Sequence, residues 1–258
     1  AGSTVVHSIG GWAGLALVLI VGPRLGRFGG ESGIRAITPS NMPTAALGAI
    51  LLFIGWLGFN GGNTLALDDS VPAILINTVV GGCIGAISAG GLSYAVNQRL
   101  DADQFINGAL GGLVAVTANC FAVSTGSAAL IGLVGGMIVV FLGRILEALE
   151  IDDAVGAIPV HLGAGIWGTL ATGLYGDLET LGTGLSRLEQ VAVQGLGVVV
   201  YGIWAFGLAF VVFYAGNAVV RFRVSEKAEI AGLNISELGL QHESELQPSV
   251  SLSMETSG

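Results

Sequence analysis

Seven long apolar stretches divide this chain, and they leave few folds open to it. A stretch of roughly 20 mostly apolar residues can cross a bilayer as a helix, and only helices and closed barrels satisfy their backbone hydrogen bonds there. The sequence is 52% hydrophobic and 10% charged, unlike ordinary soluble domains. We therefore predict an all-α polytopic membrane protein with seven spans, at residues 4–21, 43–65, 73–96, 105–121, 127–146, 157–174 and 191–220.

The basic residues predict how these spans are oriented. Of the 9 Lys and Arg residues, all but Arg187 fall on alternate connections between spans. Because cytoplasmic loops carry the excess of basic residues, the amino end is expected outside and the carboxyl end in the cytoplasm. Residues 1–224 form the predicted transmembrane domain, and the polar residues 225–258 form a cytoplasmic tail whose end is expected to be partly disordered. The net charge of −9 and the absence of a dense basic cluster in the sequence argue against nucleic-acid binding.

Two histidines lie in similar apolar, glycine-rich segments. His161 is set in IPVHLGAGIWG at residues 158–168, and His7 in VVHSIGGW at residues 5–12; each follows a valine and precedes glycines and a tryptophan. An ionisable side chain inside a span is costly and indicates function. We predict that the pair lines a conduction path, where neutral imidazoles hydrogen-bond a small polar solute. The alternative is that each histidine only bonds a neighbouring helix.

Other polar and aromatic residues within the spans are candidates for the same path. Trp56, Phe59 and Asn63 follow at spacings of three and four, so they share one helical face. Aromatic faces attract a desolvated cation, although packing or an interfacial belt is an alternative role. Thr117 and Asn77 are expected to hydrogen-bond between helices. Two aspartates before the His161 span, at 152–153, are expected to cap its helix.

The sequence contains no Walker loop, no GxSxG elbow and no cluster of metal-ligating residues. We therefore expect no enzymatic activity, no resident metal and no cofactor. Two histidines on separate helices still leave a metal-binding membrane protein as a weaker alternative.

Five motifs together resemble the Amt/Mep/Rh ammonium transporter family, in its Amt branch. They are GSTVVHSIGGW at 2–12, GWLGFNGGNT at 55–64, NTVV at 77–80, DDAVGAIPVHLGAGIWGTLATG at 152–173 and FRVSEKAEIAGLNISELG at 222–239. The resemblance spans nearly the whole chain, in the right order. It implies eleven helices per subunit, an inverted repeat of five helices and a homotrimer with one pore per subunit. This chain would then be a fragment running from the fifth helix to the eleventh.

The resemblance also implies roles for individual residues. His7 and His161 would be the twin histidines of the pore, Trp56 a pore-lining residue and Phe59 one of two gate phenylalanines. Asn63 stands where the family has a serine that recruits ammonium, so an amide oxygen replaces a hydroxyl there. Independently of the resemblance, Thr117 and Asn77 are candidates for polar support of the pore, because they are polar residues inside predicted spans. The family's aspartate at the start of the fifth helix would fall two residues before this chain begins.

The function implied is transport across the plasma membrane. Ammonium would be recruited as NH4+ and conducted as NH3, with or without a relayed proton, and methylammonium would serve as an analogue. The tail resembles a regulatory segment that contacts a neighbouring subunit and, in bacteria, a PII-type signal protein, although Asn234 and Leu238 depart from the family's aspartate and histidine. Membrane lipid is the other expected partner. The alternative is an ammonium sensor, an Amt-like domain fused to a downstream signalling domain.

Overall fold

The computed structural model describes residues 2–29, 33–35, 37 and 41–239, and helices make up most of this part of the chain. The first helix, α1, is π-helical over Ser3–Ser8 and α-helical over Ile9–Val21. The sixth, α6, is likewise π-helical over Ile158–Gly163 and α-helical over Ala164–Tyr175. The others are α2 (Met42–Gly61, continued by a 3-10 turn at Gly62–Thr64), α3 (Val71–Asn97), α4 (Ala102–Thr117), α5 (Thr125–Ala148), α7 (Leu178–Leu181), α8 (Arg187–Val219), α9 (Glu226–Ala231) and α10 (Leu233–Ser236).

Five of these segments are long and apolar enough to cross a membrane: Ser3–Val21, Met42–Thr64, Val71–Asn97, Thr125–Ala148 and Arg187–Val219. The prediction of an all-helical polytopic membrane protein is confirmed to that extent. The two remaining predicted spans are helical too, but α4 has only 16 residues and the α-helical part of α6 only 12. The predicted tail begins with α9 and α10, and its end, for which disorder was expected, lies outside the described residues.

The fourth span was predicted to reach residue 121, and this was wrong at its carboxyl end, because α4 stops at Thr117. The following residues form a turn held by two buried side-chain amides. Asn77 of α3 donates two hydrogen bonds of 2.9 Å to carbonyl oxygens of this turn. Asn119 within it donates a bond of 3.0 Å to the carbonyl of Gly168 in α6. These side chains replace the backbone bonds that a longer helix would make, so the apolar run alone did not mark the helix end.

Helix α4 lies at the centre of the molecule because glycines let its neighbours approach. A Cβ placed on Gly85 of α3 would lie only 2.7 Å from the Cα of Gly112 in α4. Small residues at such contacts allow backbones to pack closely in a membrane. The next turn of α4, residues 113–116, is completely buried. Helices α1 and α6, which carry the site described below, pack against this turn.

Ionic contacts join the connections on the predicted cytoplasmic side. Asp152 accepts hydrogen bonds from the backbone N–H of Arg24 at 2.9 Å and from its guanidinium at 2.7 and 2.8 Å. Glu229 of α9 accepts a bond of 2.7 Å from the backbone N–H of Leu25 and pairs with Arg223 at 2.9 Å. The loop after α1 is therefore tied both to the segment before α6 and to the start of the tail.

We expect Asp152→Asn to destabilise the protein at neutral pH. The Arg24 guanidinium holds the pKa of the Asp152 carboxyl below its usual value. A lowered pKa means that the ionised carboxylate stabilises the fold above the ordinary pKa near 4, and that this contribution is lost as pH falls through the folded-state pKa. Because Arg24 is 38% exposed, the expected loss is about 1–2 kcal/mol. Thermal unfolding of the full-length protein in detergent should show a lower Tm for the variant at pH 7 and a smaller difference at pH 3. Equal Tm values at pH 7 would contradict this assignment.

Candidate functional site

The two histidines singled out in the sequence both lie on π-helical turns. His7 belongs to Ser3–Ser8 and His161 to Ile158–Gly163, and each turn runs directly into an α-helix. Such turns are rare and occur frequently at functional sites, because they shift a side chain relative to the regular helix. The sequence predicted that the two segments are alike. The sequence did not predict the π-helical geometry, because no residue type in these two segments is specific to a π-helix.

The structure brings these histidines into direct contact. The Nδ1 atoms of His7 and His161 are 3.2 Å apart, and the ring centroids are 5.3 Å apart with an interplanar angle of 18°. One Nδ1 must donate and the other accept, so the pair shares a single proton between these two atoms. Each ring therefore keeps Nε2 for another partner. The Nε2 atom of His7 is buried and has no hydrogen-bond partner among the described residues.

Two glycines make this close approach possible in a reciprocal way. Gly11, four residues after His7, lies against Leu162, which directly follows the other histidine; a Cβ on Gly11 would be 2.5 Å from the Leu162 amide nitrogen. Gly165, four residues after the second histidine, lies against Ser8 in the equivalent manner, at 2.5 Å from its Oγ. Each π-helical turn thus packs on a glycine of the other helix. A side chain at either glycine position would push the histidines apart.

Aromatic rings of α2 enclose one side of the histidine pair. The ring of Trp56 stacks on His7 at 4.9 Å with an interplanar angle of 14°, and Phe59 meets His7 edge-on at 5.9 Å. The indole Nε1 of Trp56 donates a bond of 2.8 Å to Thr117 Oγ1, which fixes the ring. Trp56 is buried, whereas Phe59 is 40% exposed. The predicted helical face of α2 therefore does reach the histidines through these two rings.

The remaining predicted site residues lie farther from the pair. Asn63 is exposed, on the 3-10 turn that follows α2. Asn77 is buried and holds the turn after α4, as described above. The predicted interhelical hydrogen bond is confirmed for Thr117, which accepts from Trp56 of α2. For Asn77 it was wrong in its partner, because Asn77 bonds the turn after α4 and not a helix. Their support of the site is thus indirect, Thr117 through the Trp56 ring and Asn77 through the end of α4.

The expectation for the two aspartates was half right. Asp153 accepts hydrogen bonds from three successive backbone N–H groups at the start of α6, at 3.0, 3.1 and 2.6 Å, and so caps the segment that carries His161. Asp152 does not cap this helix, because its carboxylate is bound by Arg24.

Sequence reasoning missed two residues near the site. Ser3 donates a bond of 2.6 Å to the carbonyl of Val114 and accepts one of 3.0 Å from the backbone of Ala118, so it fastens the first π-helical turn to α4. Asn60, next to Phe59, is 3% exposed. The sequence could have identified Asn60 as a candidate site residue, because a polar residue four positions after Trp56 lies on the same face of the helix. Nothing in the sequence singled out Ser3.

No group of three or more His, Cys, Asp or Glu side chains is placed to hold a metal ion in the part of the chain that the structure describes. The metal-binding alternative therefore has only the two imidazoles to offer as ligands there. Structural zinc sites in proteins almost always have four ligands.

Fold and site together define a multi-pass membrane protein with paired, half-buried histidines at a contact between two helices. Comparison with known proteins then identifies the family. Residues 1–243 match the model of the Ammonium Transporter Family, and the chain belongs to this family. The resemblance seen in the sequence motifs is confirmed.

Individual relatives agree with this assignment. The chain is 47% identical over 237 residues to sll0537 of Synechocystis sp., a proposed ammonium transporter, covering 92% of this chain and 44% of that protein. It is 38% identical over 251 residues to the ammonium transporter Amt2 of Archaeoglobus fulgidus, covering 92% and 53%. The chain thus spans about half the length of the curated relatives it matches.

Solved structures show the same fold. A protein described as a sensor Amt protein superposes with a TM-score of 0.87 at 38% identity, over 92% of this chain and 59% of that one. Mep2 of Candida albicans superposes with a TM-score of 0.79 at 23% identity, over 88% and 52%. The described helices therefore correspond to part of the Amt/Mep fold.

Proposed function

We propose that this chain forms part of an ammonium transporter and carries the histidine pair at the centre of its pore. The observation that supports this most directly is the Nδ1–Nδ1 distance of 3.2 Å between His7 and His161, within apolar and aromatic surroundings. On this proposal Asn63 recruits NH4+ at the outer mouth, Phe59 and Trp56 line the entry, and NH3 passes along the histidines, with or without a relayed proton.

The physical reason for passing ammonia is the cost of a charge in the membrane. An intact charge at the bilayer centre costs about 2.5–3.5 kcal/mol or more, and a neutral molecule avoids this cost. The aromatic rings favour the cation where it loses its water. A potassium ion has no proton to release, so the same path rejects it. The linked imidazoles retain Nε2 atoms that can hydrogen-bond the nitrogen of the substrate.

The wider architecture belongs to the same proposal. The reciprocal packing of Gly11 and Gly165 is the contact expected of two repeats related by a two-fold axis, as in transporters built from inverted repeats. The described part then supplies seven of eleven transmembrane helices, in a transmembrane domain at 1–224.

On the same proposal the protein is a homotrimer in the plasma membrane. The tail at 225–258 would lie in the cytoplasm and would be the place for regulation by a PII-type protein. The contact of Glu229 with the loop after α1 gives this tail a fixed starting position.

Sensing is the second candidate function. It is favoured by the similarity to the solved sensor Amt protein, at 38% identity. On this alternative the same site binds ammonium, and the tail passes the signal to another domain.

A growth experiment separates the two candidates. The full-length protein would be expressed in cells that lack their own ammonium transporters, at low ammonium and acidic pH, where little free ammonia diffuses across the membrane. We expect growth to be restored and methylammonium uptake to be saturable. The outcome that overturns transport is ammonium binding by the purified protein without uptake or growth, which is the result expected of a sensor.

A further inference from the structure

Asn60 has a buried acceptor atom that nothing in the described structure satisfies. The residue is 3% exposed, and its Oδ1 atom is buried with no hydrogen-bond donor among the described residues. Buried polar atoms without a partner are rare, because each costs the free energy of its lost hydration. An acceptor of this kind in a membrane span is a candidate site for a donor from outside the fold.

The neighbouring hydrogen bonds fix which end of the Asn60 amide is unpaired. Its Nδ2 lies 3.0 Å from Thr78 Oγ1, and the Thr78 hydroxyl donates its own proton to the carbonyl of Ile74 at 2.7 Å. Thr78 can therefore only accept from Asn60, so the amide nitrogen must face Thr78. The oxygen is left as the free end.

Two other buried asparagines also have an unpaired Oδ1, but their position is different. Asn77 and Asn119 each donate two hydrogen bonds to backbone carbonyls and hold the turn after α4. Asn60 binds no backbone group among the described contacts. It binds one side chain of α3 and lies on the helix that carries Trp56 and Phe59.

The position of Asn60 along α2 points to the substrate as the donor. Trp56, Asn60 and Asn63 occupy one helical face at spacings of four and three. At 1.5 Å per residue, Asn60 lies about 6 Å along the axis from the Trp56 ring that stacks on His7. It stands between that ring and the exposed turn with Asn63.

We propose that the Asn60 carboxamide oxygen accepts an N–H hydrogen bond from ammonium or ammonia on its way to the histidine pair. This inference rests on the proposed function and adds a binding residue to it. The substrate is an N–H donor, and the buried Oδ1 of Asn60 is an acceptor without a partner among the described residues, so the two are complementary. The side chains packed around Oδ1 must move to admit it.

The test compares two variants of the full-length protein that differ in whether the acceptor is kept. Asn60→Leu has a similar size and removes the oxygen, whereas Asn60→Asp keeps an oxygen acceptor and removes the amide nitrogen. For Asn60→Leu we expect the KM of methylammonium uptake to rise about tenfold or more, the loss typical of a hydrogen bond to a charged group. For Asn60→Asp we expect a KM no higher than that of the parent, with slower turnover because the carboxylate retains the cation.

Isothermal titration calorimetry with ammonium chloride and the purified proteins should rank them in the same way: Asn60→Leu should bind ammonium more weakly than the parent, and Asn60→Asp should bind it no more weakly than the parent. Equal increases in KM for both variants would show that the bond to Thr78 is what matters, and would overturn the inference. An unchanged KM in Asn60→Leu would overturn it as well. Neither result affects the proposed function, which is tested separately by the histidine variants.

Discussion

Replacing either reciprocal glycine by alanine is expected to abolish most ammonium uptake by the full-length protein. In Gly11→Ala the new methyl group would lie 2.5 Å from the Leu162 nitrogen and 2.8 Å from its Cα, and these are backbone atoms that cannot rotate away. In Gly165→Ala it would lie 2.6 Å from the carbonyl oxygen of Ser3. Overpacking of this kind costs about 1–3 kcal/mol. The helices must separate, and the histidine contact separates with them.

The expected size of the effect follows from the sensitivity of reacting groups to position. A displacement of about 1 Å can reduce a rate by about 100-fold, and we expect a loss of uptake of that order for both glycine variants. The matched control is Gly14→Ala in the same helix, where, apart from the adjacent residues and the backbone of that helix, no described atom lies within 4 Å of the added methyl group. Uptake should be measured with labelled methylammonium at equal amounts of protein in the membrane. Normal uptake in Gly11→Ala and Gly165→Ala would show that the close approach is not required.

Removing one histidine is expected to have an effect as large as removing both. His7 and His161 satisfy each other through one Nδ1–Nδ1 contact, so either substitution breaks the same hydrogen-bonded unit. Groups that act as a unit show strongly non-additive effects. We expect His7→Ala and His161→Ala each to lower uptake by about 100-fold, and the double variant to lower it little further.

The control for this series is His242→Ala. This third histidine lies in the predicted tail, outside the described residues, and its removal should leave uptake unchanged. Independent effects that multiply in the double variant would mean that each histidine acts alone, contrary to the paired arrangement.

Much of the fold could be predicted from the sequence because the bilayer restricts it. Long apolar stretches located the helices, and a polar residue inside such a stretch drew attention to His7 and His161. The match of their local sequences also indicated that they are equivalent positions. These predictions depend on composition and residue spacing, and both can be read from the sequence without knowledge of the tertiary contacts.

What the sequence could not provide were features set by contacts between distant residues. The end of α4 depends on side-chain amides from α3 and from the turn itself, so the apolar run overestimated its length. The π-helical turns pack against glycines more than 150 residues away in the chain, a contact that local sequence does not reveal. The unpaired oxygen of Asn60 becomes visible only when the bonds of Thr78 are known. Such features are decided by the assembled structure and not by local propensity.

The most direct test of the central claim is ammonium flux through the purified full-length protein in liposomes. An outward-to-inward ammonium gradient would be applied, and entry would be followed with labelled methylammonium and with a pH-sensitive dye inside the vesicles. The account predicts saturable entry with the parent protein and entry at the level of empty liposomes with His161→Ala, although the variant remains folded by size-exclusion chromatography. Equal flux through the parent and a folded His161→Ala variant would contradict the proposal that the histidine pair forms the conducting site.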